Sequence, residues 1–255
     1  MYQPRDYRHW VQDKELVSFN VVERETDLYI RASSDLSSQA RELVFECRKQ
    51  LEAYITKHPP FADSLEPVST AIKAPPIIRE MADAAQKFGV GPMASVAGAV
   101  AQFVGCGLLR HTPEVIVENG GDIFLKSSRD LTVAVYAGKS PLSGRLGLEI
   151  KGKDTPLGIC TSSGTVGHSL SLGKSDAVVV AAKSAALADA AATAIGNIIS
   201  KPEDIPAGIE MAQANDELLG VIIIKDDKIG IWGKIKICQL PDPEHNLDTV
   251  TSPNL

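Results

Sequence analysis

The sequence predicts an α+β fold, and three observations carry that reading. Short apolar runs occur mostly as neighbours along the chain, joined by turn-forming residues. Helical periodicities gather between those groups instead of alternating strand by strand, as a doubly wound βαβ sheet would require. One strongly apolar run, 176–182, passes directly into an alanine-rich helical segment.

Runs 16–22 and 28–31 flank the polar Glu23-Arg24-Glu25-Thr26-Asp27 and predict an antiparallel hairpin. Ser34 or Asp35 then caps a long helix to about residue 57, with Leu36, Ala40, Leu43, Val44, Cys47, Leu51 and Tyr54 on one face. His58-Pro59-Pro60 stops it. Segment 61–76 lacks sustained periodicity and reads as a surface connection or a segment shaped by a ligand. Pro76 starts a second helix through 77–88. After Gly89-Val90-Gly91-Pro92 a third helix is expected over 93–106, where Ala94, Ala97, Gly98 and Ala101 let another backbone approach. Strands are expected at 115–118, 123–125, 131–136, 147–150, 158–160 and 176–182. Helices follow at 184–199 and 202–211, then a terminal hairpin of 219–224 with 229–237 around Asp226-Asp227-Lys228. No linker interrupts 1–240, which reads as one domain, and 241–255 is a polar tail.

Hydrophobic residues make up 44% and charged residues 23%, which places the chain among globular proteins and not disordered ones. With 26 Lys and Arg against 32 Asp and Glu, nothing predicts a nucleic-acid surface. Cys47, Cys106, Cys160 and Cys238 show no C-x-x-C spacing and read as reduced, structural thiols. The first residues carry charge and no apolar core of a signal peptide, so a cytoplasmic protein is expected. Residues 88–109 run 22 positions without a charge. Pro92, Gln102 and the abundance of Gly and Ala make this a buried helix and not a membrane span.

Three constellations carry chemistry. Asn119-Gly120-Gly121-Asp122 sits between apolar strands. It is either a tight hairpin turn or a glycine-backed turn at which a ligand meets main-chain groups. Thr161-Ser162-Ser163-Gly164-Thr165-Val166-Gly167-His168-Ser169 follows an apolar strand. It is either a solvent loop or an anion-wrapping one in which Ser162 to Gly167 enclose a phosphate, with Lys174 or Arg145 beside it and His168 as acid or base. Asp189 and Thr193 stand four apart on one helical face among alanines. Either Asp189 is an exposed charge that gives solubility and the Thr193 hydroxyl bonds back to the preceding turn, or the two supply oxygen to a hard cation. No P-loop, G-x-S-x-G elbow or H-E-x-x-H pattern is present.

The segments GVGPMASVAGAVAQFVG, VIVENGGDIFL and GICTSSGTVGHSLSLGKSDAVVVAAKSAALADAAATAIGN resemble the UPF0280 family over most of the chain. That family is a remote branch of the ApbE-like proteins, whose likeness covers roughly the second half. The resemblance implies mixed or antiparallel sheets packed with helices, related to the T-fold. It also implies Mg²⁺ and FAD, with FMN transfer to a protein or cleavage of the FAD pyrophosphate. The alternative is a non-catalytic binder of flavin or another phosphorylated cofactor. By position it makes Asn119 to Asp122 the GGD turn, Thr161 to Gly164 the TSG loop, and Asp189 with Thr193 the D-A-x-x-T metal ligands. Met93 and Ala94 correspond to the segment lending a backbone carbonyl. Where ApbE transferases carry K-G this chain has Gly91-Pro92, and no H-I-x-x-P-x-T-G stretch follows the serine loop. The expected partner is a phosphorylated small molecule or nucleotide. A homo-oligomer is consistent with the small-faced helices, and no acceptor protein is specified.

Overall fold

The computed structural model describes residues 16–165 and 171–240. Strands β1 (Val17–Glu23) and β2 (Thr26–Ala32) form the expected hairpin, with Glu23 opposite Thr26. Helices α1 (Ser37–Lys57), α2 (Pro60–Asp63), α3 (Pro76–Phe88) and α4 (Val96–Leu108) follow. The strands β3 (Val115–Asn119), β4 (Asp122–Lys126), β5 (Leu131–Ala134), β6 (Leu146–Ile150), β7 (Leu157–Ser162) and β8 (Ala177–Ala182) come next. The described chain closes with α5 (Ala185–Ile198), α6 (Ile205–Gln213), β9 (Leu218–Lys225), β10 (Lys228–Gly233) and β11 (Lys236–Gln239).

Eight strands pair antiparallel in the order β1-β2-β3-β4-β7-β8-β9-β10, and three more in the order β11-β6-β5. Alternation along the central strands splits the interior in two. Phe124, Cys160, Val178, Val180, Val221 and Ile223 face one core with the helices. Leu125, Ile159, Val179 and Ile222 face another with Leu148 and Ile150 of the small sheet. The 176–182 run is apolar at nearly every position because β8 is covered on both faces.

Several elements differ from expectation. α2 forms at the start of the segment read as a connection, α1 begins after Leu36 so that neither Ser34 nor Asp35 stands at its N-cap, and β7 runs on through Thr161 and Ser162. The helix expected from Met93 opens instead as a 3₁₀ turn, Pro92–Ser95, in which Ser95 Oγ donates to the Pro92 carbonyl at 2.8 Å. The expected strand 229–237 is split. Gly233, at φ 102°, packs so closely on Gly220 and Leu219 that a Cβ would lie 2.4 Å from their backbone. The chain leaves β9 there, and β11 joins the small sheet beside β6. Among the described residues no single helix is long and apolar enough to cross a membrane. The uncharged stretch 88–109, read as one buried helix, is broken: it spans the end of α3, a sharp bend and the 3₁₀ turn, and only α4 is the buried, small-faced helix. Its small face is spent inside the chain: a Cβ on Gly98 would lie 2.3 Å from the Ala185 carbonyl oxygen of α5. The segment 241–255 lies outside the described residues.

Candidate functional site

Four pieces of chain meet at one end of the large sheet: the β3–β4 turn, the end of β7, the 3₁₀ turn entering α4, and α5. In the turn, Asn119 pairs with Asp122 while Gly120 and Gly121 take φ of 69° and 107°. Positive φ at both central positions is what a two-residue hairpin of this hand demands. A Cβ on Gly121 would meet nothing within 4 Å, so the constraint there is conformational and not steric. The Gly121 N–H donates to Glu118 Oε1 at 2.8 Å, and Asn119 Nδ2 donates to the Ala97 carbonyl at 3.1 Å. The turn is thereby tied to α4.

Asp122 and Asp189 are both buried, 8% and 9% exposed, and the described residues pair neither with a lysine or arginine. Asp122 Oδ1 accepts the Thr161 N–H at 3.3 Å. Asp189 Oδ2 accepts the Gly98 N–H at 2.9 Å, one of the helix-start donors that α4 cannot satisfy itself. Burial, augmented by the Asp122 charge, pushes the Asp189 carboxyl well above its usual range. Burial likewise raises Asp122 to about 7, a rise opposed by the neighbouring Cys160 thiol and by the Thr161 N–H. One turn beyond Asp189, Thr193 Oγ1 reaches the Ala94 carbonyl at 3.5 Å, so it does not bond back to its own helix. Asp189 and Thr193 therefore face the 3₁₀ turn together, with Met93 half-buried beside Ala94.

Asp189 and the Thr193 hydroxyl, which reaches the Ala94 carbonyl, present oxygen donors of the kind a hard cation such as Mg²⁺ takes, and the buried Asp122 carboxyl is close enough to Asp189 to repel its charge. Among the described residues no three His, Cys, Asp or Glu side chains are grouped so as to hold a metal ion, so waters or a ligand's oxygens would have to supply most of any shell.

The hydroxyl segment begins on β7. Ser162 Oγ lies 3.3 Å from where a Gly196 Cβ would stand on α5, so it faces that helix. The Gly164 N–H donates to the Ser175 carbonyl at 2.9 Å, and a Cβ on Gly164 would strike the Gly173 carbonyl oxygen at 2.3 Å. Ser163 Oγ accepts the Thr165 N–H at 3.1 Å, and Thr165 Oγ1 donates to Asp176 Oδ1 at 3.3 Å. Gly167 and His168 lie outside the described residues. Lys174 is exposed, its N–H held by the Ile199 carbonyl at 2.7 Å, and Arg145 precedes β6 of the small sheet.

Sequence reasoning passed over Cys160, read as a structural thiol. It stands on β7 between the two carboxyls; burial above all, and then the Asp122 and Asp189 charges, push its thiol well above the usual range. Its Sγ donates to the Ala185 carbonyl at 3.2 Å. The available signal was parity: Cys160 and Ser162 share one face of β7. Glu118 escaped for a similar reason, because it faces away from Asn119 along β3 yet reaches around the turn.

A raised carboxyl has a consequence for stability. Between the ordinary value of 3.8 and about 7, the folded protein keeps a proton on Asp122 that the unfolded chain has lost. Stability of the metal-free protein must then fall as pH rises through that window. Thermal melts in chelator are expected to give a higher midpoint at pH 5.5 than at pH 7.5, and Asp122→Asn should flatten the difference. A midpoint that climbs over that range would contradict the assigned burial.

Comparison with known proteins bears on this geometry. A family model described as AbpE bacteria matches residues 8–220. A UPF0280 protein of Methanopyrus kandleri is 44% identical over 227 residues, covering 86% of this chain and 91% of that protein. One from Methanocaldococcus jannaschii is 41% identical over 221 residues, covering 84% and 90%. Among solved structures, the flavin transferase ApbE from Vibrio cholerae superimposes with a TM-score of 0.54 at 14% identity, covering 86% of this chain and 96% of its own. The apo flavinyl transferase ApbE of Pseudomonas stutzeri gives 0.55 at 14% identity, covering 86% and 94%. These two likenesses are of fold.

Proposed function

Because this chain belongs to the UPF0280 family of ApbE-like proteins, we propose that it is a Mg²⁺-dependent enzyme acting on the pyrophosphate of FAD. The observation that supports this most is that Asp189 and Thr193 share the face of α5 that looks on the start of α4 and the Ala94 carbonyl, with the buried Asp122 carboxyl close to Asp189. In the reaction the P–O bond joining the FMN and AMP halves breaks. A hydroxyl oxygen, from water or an acceptor protein's threonine, forms the new bond to the FMN phosphorus; its proton is released and AMP leaves.

Asp189, Thr193 and Asp122 would hold the cation, which when bound neutralises charge building on the pyrophosphate. Thr161, Ser162 and Ser163 would offer hydroxyl donors to phosphate oxygens, Thr165 would join them by giving up its bond to Asp176, and Gly164 lets the loop close on Gly173. The Asn119–Asp122 turn presents its glycine backbone to the ligand. His168 is assigned the proton leaving the attacking hydroxyl, on its place in the sequence of that loop.

Incubating the protein with FAD and MgCl₂ should release AMP, and chelator should stop it. Tight FAD binding without AMP would instead identify a binder. Neither binding nor AMP would remove the proposal. A Ser163→Ala, Thr165→Ala double variant is expected to weaken FAD binding about tenfold by calorimetry, the loss of two hydroxyl hydrogen bonds of roughly 0.5–1 kcal/mol each.

A further inference from the structure

We infer that Gln102 is a positioning residue for the Asp189–Thr193 pair, acting through the first peptide of α5; the inference rests on the reading of that pair as cation ligands. Gln102 is a polar side chain within an apolar helix, and both ends of its amide are engaged. Its Oε1 accepts the Ala185 N–H at 2.6 Å, and its Nε2 donates to Glu80 Oε1 at 2.6 Å. The same Glu80 oxygen accepts Ser184 Oγ–H at 2.9 Å, while Ser184 Oγ caps α5 by accepting the Leu187 N–H at 3.2 Å.

Ala185 is held on every side. Its carbonyl accepts from Cys160, and its backbone is so close to Gly98 and Gly158 that a Cβ on either would lie 2.3 Å away. The two helices thus cap each other across their crossing. Gln102 of α4 satisfies the first donor of α5, and Asp189 of α5 satisfies the Gly98 donor near the start of α4. Gly98 and Gln102 are one turn apart on α4, as Ala185 and Asp189 are on α5. A slide of one helix along the other breaks both caps together. Asp189 would then leave the Gly98 N–H, and Thr193 the Ala94 carbonyl. Gln102 acts through the α5 backbone and so fixes where the Asp189 and Thr193 side chains stand.

The test compares wild type, Gln102→Leu, Gln102→Glu and the exchange Gln102→Glu with Glu80→Gln, using two readouts. The first needs no ligand: hydrogen exchange at the Gly98 amide. The second is Mg²⁺ titration in the presence of FAD. In Gln102→Leu, the Gly98 amide is expected to exchange at least about tenfold faster while Ala101 and Val104 amides keep their rates, the signature of a local opening. Mg²⁺ affinity should fall by a similar factor. Gln102→Glu sets a second carboxylate against Glu80 and should behave alike. The exchange restores donor and acceptor between positions 102 and 80 and keeps an acceptor for the Ala185 N–H, while the Ser184 contact reverses so that Oγ accepts from the amide; both readouts should largely recover. A folded Gln102→Leu protein with Gly98 exchange and Mg²⁺ affinity within twofold of wild type overturns the inference. Should that variant not fold, an exchanged pair that folds without restoring Gly98 protection overturns it equally. If wild type shows no Mg²⁺-dependent FAD binding, the proposed function falls, and the Gly98 amide alone still decides the role of Gln102.

Discussion

Asp189→Asn is expected to make the metal-free protein more stable while removing its Mg²⁺-dependent affinity for FAD. The stability gain follows from exchanging a buried carboxyl, already pushed well above its usual range by burial and by Asp122, for a neutral group of nearly equal shape. Such replacements of uncompensated buried charge yield about 1–3 kcal/mol. The asparagine oxygen can still accept the Gly98 N–H, so the cap on α4 survives. What it cannot supply is negative charge to a cation, and loss of that ligand should cost about 100-fold in Mg²⁺ affinity, or roughly 2.7 kcal/mol. Calorimetric unfolding in chelator at pH 7.5 and Mg²⁺ titration with FAD check the two halves separately. A variant that melts lower and keeps wild-type Mg²⁺ dependence would make Asp189 a helix cap and nothing more.

The second large effect is steric. Gly98→Ala places a Cβ 2.3 Å from the Ala185 carbonyl oxygen and 2.9 Å from Asp189 Cβ. The oxygen is helix backbone and the other atom is anchored to it, so neither yields without moving α5. Helix propensity alone favours the alanine by about 1 kcal/mol. The clash opposes it, and separating two packed helices costs typically about 1–3 kcal/mol or more. A net loss of roughly 2 kcal/mol in urea unfolding is expected, together with loss of the Gly98–Asp189 hydrogen bond. Gly107→Ala is the control on the same helix. Its Cβ would meet only the Leu43 methyls at 2.6 Å, the end of a flexible side chain that can turn aside. Gly107→Ala should therefore cost clearly less. Equal stability of the two variants would mean that the α4–α5 crossing is looser than described.

The sequence by itself determined the elements. Hydrophobic period separated β1 and β2 from α1, Pro76 and Ser184 marked helix starts, and the Gly120-Gly121 pair announced a tight turn, because each signal is local: a φ requirement, a missing N–H, a cap. It also placed Asp189 and Thr193 on one face, since helical spacing is geometry that any four-residue separation carries. Tertiary structure alone decided what that face looks upon. Nothing local in Gln102 says that it caps a helix more than eighty residues away, nor in Cys160 that it stands between two carboxyls. The split of 229–237 was equally invisible, because both halves are apolar and only the close approach of Gly233 to Gly220 sends β11 to the other sheet. The burial that raises Asp122 and Asp189 is likewise collective: it comes from β4, β7, α4 and α5 closing together, and charge in a low-dielectric interior is a property of the surroundings, not of the residue.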